Sequence, residues 1–248
     1  MTSKQNTYIA ASSSAAPNRG GERLEVFHIS AASIELLKWL AVVLMVVDHI
    51  NKFVLKESVP SMFALGRIAM PLFVFVLGYN LARPAAYESG VYQRVLTRLT
   101  CFGVLSIYPH AMMNVLIGGW WPVNIMFTLA LAVLIMWLTE KGGVVSVIFA
   151  WVAFLLLGAV VEFWWPAVAG CLFVWLYFKK GKPVYLVGFV LSLLALYFVN
   201  GNFWALLALP VIVIARAWRW QLPRMKWFFY AFYPLHFILL WLYIRFAS

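Results

Sequence analysis

The sequence has little charge, and acidic residues are the scarcest. Its 248 residues include 8 Asp and Glu and 19 Lys and Arg, so charged residues make up only 11% of the chain, whereas hydrophobic residues make up 65%. Soluble domains carry about a quarter charged residues and about half apolar ones. The composition therefore excludes an ordinary soluble domain and predicts an integral membrane protein in contact with a lipid bilayer.

Cysteine frameworks and familiar catalytic motifs are also missing. The two cysteines, Cys101 and Cys171, lie in apolar segments and form neither a disulfide framework nor a zinc-ligand spacing. The sequence contains no GxSxG, HExxH, P-loop or GxGxxG motif, so nothing indicates the enzyme classes that these motifs define. Asp48, His49 and His236 are of metal-ligating type, but their spacing matches no known ligand pattern, and we predict no metal site.

The chain divides into a polar start and a hydrophobic remainder. Residues 1–30 are small and polar and lack the apolar core of a signal peptide, so we predict a flexible cytoplasmic tail. Residues 31–248 form one predicted transmembrane domain, an all-α polytopic helical bundle whose first helix is capped by Ser33. A crossing needs roughly 20 residues. About nine segments approach that length, with eight or ten left open by the boundary near residue 162: 33–55, 61–82, 97–116, 122–139, 143–161, 163–179, 183–200, 202–218 and 227–246.

The distribution of Lys and Arg predicts the orientation of the bundle. If the N-terminus is cytoplasmic, only Lys52, Lys56 and Arg245 lie on the outer side. Because basic loops tend to stay in the cytoplasm, this bias predicts a cytoplasmic N-terminus and an outer C-terminus. It also accounts for the net charge of +11 without a nucleic-acid partner. The cytoplasmic side then holds Lys4, Arg19, Arg23, Arg83, Arg94, Arg98, Lys141, Lys179, Lys180, Lys182, Arg216, Arg219, Arg224 and Lys226.

Ionisable residues interrupt the hydrophobic segments at similar depths. The segment Val42–Phe53 reads VVLMVVDHINKF and places Asp48 and His49 inside a predicted span. At 1.5 Å per residue these two lie roughly 10 Å below the outer surface, and Arg67 and His110 lie about 9 Å below it. Charged groups in a membrane are costly and mark functional sites by default, so we predict a polar site in the outer half of the bilayer. Further polar residues follow: Asn124 near the outer start of the fourth span, Glu162 at the outer end of the fifth, and His236 nearer the middle of the last.

These polar residues also have structural interpretations. Asp48 and Arg67 are expected to form an ion pair, with Lys52 as a second partner for the carboxylate at i+4, and that pair would also serve simply to lock two helices together. His49 and His236 would also serve as interhelical hydrogen-bonding groups. A separate pair, Glu35 and Lys38, is expected at i, i+3, with the lysine extending toward the membrane surface.

Two kinds of chemistry fit a membrane-embedded set of histidine, carboxylate and arginine. A proton-coupled transporter would use them as a relay, although the internal repeats typical of transporters are not evident. In acyl transfer, a histidine takes the proton from an amine or hydroxyl, basic groups hold the phosphates of the acyl carrier, and Arg or Asn stabilises the oxyanion. The residues alone leave both open.

The strongest motif match begins in the same segment, where Leu40–Met45 lead into Asp48 and His49. It continues through Gly66-Arg67, Pro71-Leu72-Phe73, Gly78-Tyr79-Asn80-Leu81 and Arg83, with weaker matches at Asn124–Phe127, at Ala169-Gly170 with Leu172, and at Phe232–His236. With these motifs the chain resembles the TraX (F-pilin acetylase-like) family of conjugative plasmids, over most of its hydrophobic part. It departs from the family pattern at Glu162-Phe163-Trp164, where an acidic residue followed by Tyr-Gly is usual.

The resemblance implies a function and roles for named residues. The family implies a bacterial inner-membrane N-acetyltransferase that moves an acetyl group from cytoplasmic acetyl-CoA to the N-terminal amine of a pilin subunit, and it is distantly similar to multi-span membrane acyltransferases. His49 would be the general base and His236 a second histidine, or the reverse, beside the Asp48–Arg67 pair, in which Arg67 would alternatively polarise the thioester carbonyl. Candidate substrate-binding residues are Asn124, Tyr233, Glu162 and His110, and candidate CoA-binding residues are Asn80, Arg83, Lys179, Lys180 and Lys182. A transporter or flippase, and a non-catalytic chaperone for pilin, stay as alternatives.

Overall fold

The computed structural model of the chain describes residues 29–113 and 120–247, and the structural statements below concern these residues. They form helices joined by short turns, without a β-strand in either range, which confirms the all-α class. Most of the predicted tail, residues 1–28, and the end of the third predicted span, residues 114–116, lie outside the described residues. The helices are α1 Ala31–His49, α2 Pro60–Gly66, α3 Ala69–Leu81, α4 Val91–Leu105, α5 Ile107–Ala111, α6 Ile125–Lys141, α7 Val144–Leu157, α8 Trp164–Lys180, α9 Val184–Ala195, α10 Tyr197–Asn200, α11 Ala208–Ala215 and α12 Phe228–Ala247, with a π-helical turn at Ile50–Val54 and a 3₁₀ turn at Trp204–Leu207.

Helix α1 begins earlier than the sequence predicted. The N-cap is Ser30 rather than Ser33, because the Ser30 hydroxyl accepts a hydrogen bond from the Ser33 amide at 3.0 Å, as N-cap side chains do. The helix buries Ile34, Leu37 and Ala41 on one face, at the spacing of three and four residues that a single helical face requires. The correction therefore moves the cap by one helical turn.

Helix α4 begins six residues before the predicted span. Its first turns carry Gln93 and Arg94 and therefore look like loop, yet the fully buried Tyr92 fixes them to the bundle. The Tyr92 hydroxyl donates to the Leu81 carbonyl at 2.7 Å, and the Trp175 indole donates to the Tyr92 hydroxyl at 2.9 Å. The buried Tyr92 ring and the two hydrogen bonds of its hydroxyl thus hold the first turns of α4 in the bundle, although the neighbouring residues are polar.

The helices pack into one bundle in which α3 is central. Helix α1 packs on α3, α3 on α8, α8 on α9, and α4 on α6, while α12 packs against α4 and α5. Helix α3 is correspondingly apolar, with Leu72, Val74 and Phe75 buried. This arrangement brings the ends of α1 and α3, the turn before α6 and the middle of α12 to the same region.

Two helical stretches have the length and apolar composition needed to cross a membrane, Pro60–Leu81 and Phe228–Phe246. Three shorter apolar helices occur at Val144–Leu157, Val184–Asn200 and Trp204–Ala215. Helix α7 exposes apolar side chains along almost its whole length and buries only Ala150. These are the surfaces of the described bundle that are least suited to water.

Candidate functional site

Most of the predicted polar residues line one small cavity. We call it the histidine cavity; it has a volume of about 80 Å³. Seven polar side chains contribute to its wall: Asp48, His49, Lys52, Arg67, His110, Glu162 and Tyr233. Residues from α1, α5, α12 and three connecting segments therefore meet at one place, as the similar depths of the residues predicted.

The predicted ion pair between Asp48 and Arg67 is present. Nη2 of Arg67 donates to the two carboxylate oxygens of Asp48 at 2.5 and 2.6 Å, and Nη1 lies 3.5 Å from the side-chain oxygen of Asn200. The alternative partner of the carboxylate, Lys52, lines the same cavity but does not take this place. Nε of Arg67 is buried without a hydrogen-bond partner among the described residues, so the guanidinium keeps donor capacity beyond its pair with Asp48.

A glycine permits the close approach of this pair. Gly66 is buried beneath Asp48 at the end of α2, and a Cβ atom at position 66 would overlap the Asp48 carboxylate. The junction between α2 and α3, with Arg67 and Ile68 between the two helices, presents the guanidinium to α1. Sequence motif and geometry agree here, since the Gly66-Arg67 dipeptide supplies both the space and the charge.

The two histidines form a hydrogen-bonded pair. Nδ1 of His49 lies 2.7 Å from Nε2 of His236, and the two ring planes differ by only 6°. Nδ1 of His236 lies 3.1 Å from the carbonyl oxygen of Phe232. Phe53 and Phe237 pack against the His49 ring, and the π-helical turn that follows His49 is a feature often found at functional sites.

These contacts assign the tautomers of a neutral pair. A carbonyl oxygen only accepts, so Nδ1 of His236 carries the proton and its Nε2 is the acceptor. Nδ1 of His49 must then donate to His236, which leaves Nε2 of His49 without a proton. Because His49 lines the histidine cavity, the pair presents one basic nitrogen on a side chain whose orientation is fixed by its partner. The sequence left the order of the two histidines open, and the hydrogen-bond direction places the unprotonated ring nitrogen on His49 and makes His236 the residue that orients it.

Glu162 reaches the cavity through a short backbone pairing. Val123 and Val161 form an isolated parallel bridge, in which the Glu162 amide donates to the Val123 carbonyl at 2.9 Å. The hydroxyl of Thr128 donates to the Glu162 carbonyl at 2.7 Å. The Ile125 amide, at the start of α6, contacts both the Glu162 carboxylate and the Tyr233 hydroxyl. Glu162 thus occupies the place where an orphan helix amide needs an acceptor.

The environment of Glu162 favours its protonated form. The residue lies in the turn between α7 and α8, outside the predicted spans. Burial raises the pKa of its carboxyl to about 7, although the charge of Lys52 and the Ile125 amide oppose the rise. A carboxyl with this pKa exchanges protons near neutral pH, which is typical of groups at functional sites.

Two other predicted substrate-binding residues differ in placement. His110 lines the histidine cavity and packs its ring against Phe237. Asn124, in contrast, is the N-cap of α6: its side-chain oxygen accepts from the Met126 amide at 3.1 Å and its nitrogen donates to the Gly103 carbonyl at 3.0 Å. Asn124 lines neither of the two cavities described for this bundle, and both ends of its side chain contact backbone groups as a helix cap.

A second, larger cavity holds cations that the sequence did not single out. We call it the basic cavity; its volume is about 230 Å³. Lys38, Arg98 and Lys226 line it together with Asn80 and mainly apolar side chains. Lys38 is held by Glu35 at 2.6 Å, which confirms the expected pair, and Arg98 lies over the Trp227 ring at 4.4 Å. The three cations come from α1, α4 and the segment before α12, and no local motif indicates that they meet.

The remaining predicted CoA-binding residues lie elsewhere. Of the five, only Asn80 lines the basic cavity. Arg83 is exposed and lies over the Tyr79 ring, Lys179 pairs with Glu140 at 2.6 Å, and Lys180 and Lys182 are exposed near the end of α8. These four cations, one after α3 and three at or after the end of α8, therefore line neither of the two cavities.

The two cavities adjoin. Met45, Phe73, Ile125 and Tyr233 line both of them, so these four side chains form the boundary between a basic, mostly apolar chamber and the charged histidine cavity. Tyr233, predicted as a hydrogen-bond donor, is buried at this boundary. A long molecule with anionic groups at one end would meet cations first and the histidine pair last.

Comparison with known proteins identifies the family. A family model described as TraX protein matches residues 33–244, which is most of the chain and includes every predicted site residue. The chain belongs to the TraX family. Membership confirms the resemblance drawn from the motifs around Asp48-His49 and Gly66-Arg67.

Similarity to individual TraX proteins is limited to part of the chain. Two Escherichia coli proteins named Protein TraX, one of them from strain K12, are 35% identical over 111 residues and 34% identical over 110 residues; each alignment covers 44% of this chain and 41% of the relative. An uncharacterized protein of Rickettsia prowazekii (strain Madrid E) is 41% identical over 75 residues, covering 30% of this chain and 26% of the relative. The aligned segments span less than half the length of these relatives. No solved structure matches the chain.

Proposed function

We propose that this TraX-family chain is a membrane-embedded N-acetyltransferase that transfers an acetyl group from acetyl-CoA to the N-terminal amine of a conjugative pilin subunit. One observation carries the proposal: the hydrogen-bond direction in the His49–His236 pair leaves an unprotonated nitrogen on a side chain that lines a cavity shared with Arg67. A base and a donor-rich cation in one small cavity are what acyl transfer requires.

The proposed setting is the bacterial inner membrane, crossed by about nine helices. Each of the nine predicted spans coincides with helical structure in the described ranges. The broad apolar exposure of α7 supports contact with lipid. The segment between α11 and α12 carries Arg219, Trp220 and Arg224 with exposed side chains, as expected of a loop at a cytoplasmic membrane interface. With this orientation the basic cavity opens toward the cytoplasm and the histidine cavity lies in the outer half.

The proposed reaction is attack of an amine on a thioester. Nε2 of His49 takes a proton from the acceptor amine while the amine nitrogen bonds to the thioester carbonyl carbon. The carbonyl electrons move to oxygen, where Arg67 stabilises the charge with donors not used by Asp48. Collapse breaks the carbon–sulfur bond, and His49 returns the proton to the leaving sulfur. An amide and a free thiol result, and the enzyme regains its starting protonation.

The basic cavity is the proposed site of the donor. Acetyl-CoA has phosphates at one end and its thioester at the other, and Lys38, Arg98 and Lys226 supply the cations that phosphates require. The apolar wall suits the long linker between them. This assignment replaces the loop cations near the end of α8 with cations that line one cavity.

The histidine cavity is the proposed site of the acceptor. An α-amine has a pKa near 8, so it is largely an ammonium at neutral pH. Glu162 lies in the same cavity wall as His49. Its carboxylate would take one proton from that ammonium and release it to solvent, which leaves the neutral amine whose next proton His49 takes during attack. A processed pilin presents its N-terminus on the outer side of the inner membrane, which matches the proposed depth of this cavity.

The direct test uses the purified full chain in detergent with acetyl-CoA and a peptide that carries the free N-terminus of the co-resident pilin. We expect one acetyl group on the peptide amine and an equal amount of free CoA thiol. The same peptide with a blocked N-terminus is the control and should give neither product. Thiol release without peptide acetylation would contradict the acceptor, and no thiol release would contradict acyl transfer.

The same assay tests the donor site. We predict that Lys38→Gln and Lys226→Gln each raise the KM for acetyl-CoA by about tenfold, the effect of losing one charge-assisted hydrogen bond. The matched controls are Lys180→Gln and Lys182→Gln, which remove the same charge from exposed cations outside both cavities. Equal effects of the two pairs would contradict the basic cavity as the donor site.

A further inference from the structure

The two adjoining cavities differ in size and in the character of their walls. The basic cavity, at about 230 Å³, is almost three times as large as the histidine cavity, at about 80 Å³. The larger one is mainly apolar, whereas the smaller one carries two carboxyl groups, Asp48 and Glu162, and two cations, Lys52 and Arg67. The chamber that holds the base is therefore both the tighter and the more polar of the two.

This difference determines where the acyl group of a donor must lie. A thioester that enters from the basic cavity brings its carbonyl to His49 by passing the boundary at Phe73 and Tyr233. The acyl chain beyond the carbonyl then shares the histidine cavity with the acceptor amine. Each added methylene of the acyl chain would have to displace a packed side chain or lie against a charged group. Overpacking and the loss of hydration of a charge both cost free energy.

Among the apolar side chains of the histidine cavity, two lie close together on α3. Phe73 and Met70 lie three residues apart on α3, so they project from neighbouring positions of one helix face. Phe73 lines both cavities, and Met70 is buried and lines the histidine cavity only. Neither residue carries a group that the proposed reaction uses, so their volume is free to act as a limit on size.

We propose, building on the acyl-transfer function above, that Phe73 and Met70 set the acyl length and restrict the donor to the two-carbon acetyl thioester. The bonds that form and break are the same for any acyl length: nitrogen bonds to the carbonyl carbon, the carbon–sulfur bond breaks, and the amine proton passes through His49 to sulfur. Discrimination between donors must therefore come from the fit of the chain beyond the carbonyl.

The test is a competition between acetyl-CoA and butyryl-CoA for one acceptor peptide, with the full chain in detergent and the two products separated by mass. We expect the wild-type chain to form the acetyl product almost exclusively. Butyryl has two more methylenes than acetyl, so Phe73→Ala and Met70→Ala should each shift the product ratio toward butyryl by about 10- to 200-fold for each methylene that the variant admits. Leu129→Ala is the matched control, since Leu129 lines only the basic cavity, and should leave the ratio unchanged.

The outcomes separate this inference from the function on which it rests. A ratio of products does not depend on the amount of folded protein, and Phe73→Leu gives a milder change in the same direction if the alanine variants do not fold. Transfer of acetyl with unchanged ratios in both α3 variants, or an equal shift in Leu129→Ala, would overturn the inference and leave the acetyltransferase standing. Absence of any acylated product with the wild-type chain would overturn both.

Discussion

At the scale of single residues, the central feature is a histidine positioned by another histidine. Nδ1 of His236 faces a backbone carbonyl, and this contact fixes which nitrogen of each ring carries a proton. Carboxylates often perform this orienting role in proteins. Here Asp48, the adjacent carboxylate, is paired with Arg67 instead, so the orientation of His49 depends on α12.

This arrangement predicts different outcomes for two substitutions of His236. His236→Leu removes the acceptor for Nδ1 of His49, and we expect acetyl transfer to fall by about 10²–10⁴, the range associated with a positioned base. His236→Gln keeps an oxygen acceptor at the side-chain end and should retain more activity than the leucine variant. Rates of peptide acetylation at saturating acetyl-CoA provide the measurement, and equal losses in both variants would indicate that His236 only fills space.

The residue types were predictable from the sequence, but their pairing was less so. Ionisable groups in apolar segments, taken with their depths along the chain, are enough to predict that Asp48, His49 and Arg67 lie together. The order of the two histidines was not accessible, because it depends on a contact between Nδ1 of His236 and a carbonyl one turn earlier. Asn124 looked equivalent to the site residues by depth, yet both ends of its side chain are used by backbone groups.

At the scale of elements, the junction between α2 and α3 sets the geometry of the ion pair. The chain turns at Arg67 and Ile68, and Gly66 leaves the space that the Asp48 carboxylate fills. A side chain at this position would separate α1 from α2 or push the carboxylate away from Arg67. The α2–α3 junction therefore determines the geometry of the ion pair through the close contact of Gly66 with Asp48, and not through the length of either helix.

We predict that Gly66→Ala destabilises the fold by about 1–3 kcal/mol, the cost of overpacking a tight interior contact. Gly170→Ala is the matched control, since a Cβ atom there would lie 3.4–3.7 Å from Ser192, Val74 and Phe189, which is ordinary packing distance. That control should be neutral or slightly stabilising, because alanine favours helix over glycine. Thermal unfolding in detergent checks both variants, and equal stability of Gly66→Ala and the wild-type chain would contradict the proposed close approach.

The positions of the elements were predicted more reliably than the spaces between them. Hydrophobic runs predicted where helices lie, but only two of the described stretches, Pro60–Leu81 and Phe228–Phe246, have the length and composition to cross a membrane. The early start of α4 was missed because a single buried Tyr92 holds polar turns in place. The basic cavity was missed because Lys38, Arg98 and Lys226 converge only through the packing of α1, α4 and α12, which no spacing along the chain encodes.

At the scale of the whole molecule, two adjoining cavities suggest a route from one side of the bundle to the other. Lys38, Arg98 and Lys226 line the cavity at one end and His49 lines the cavity at the other, with Tyr233 at the boundary. In the proposed membrane orientation, a cytoplasmic donor and an outer acceptor would approach His49 from opposite sides. The division of the bundle into two chambers thus fits a transferase whose two substrates never share a compartment.

The most direct test of this account is the intact mass of the co-resident pilin, purified from cells with the wild-type chain, with His49→Ala, and without the chain. We expect pilin to carry one N-terminal acetyl group only with the wild-type chain, while the His49→Ala protein remains in the membrane fraction at a similar level. Pilin of the same mass in all three preparations would contradict the central claim that His49 serves as the base in pilin acetylation.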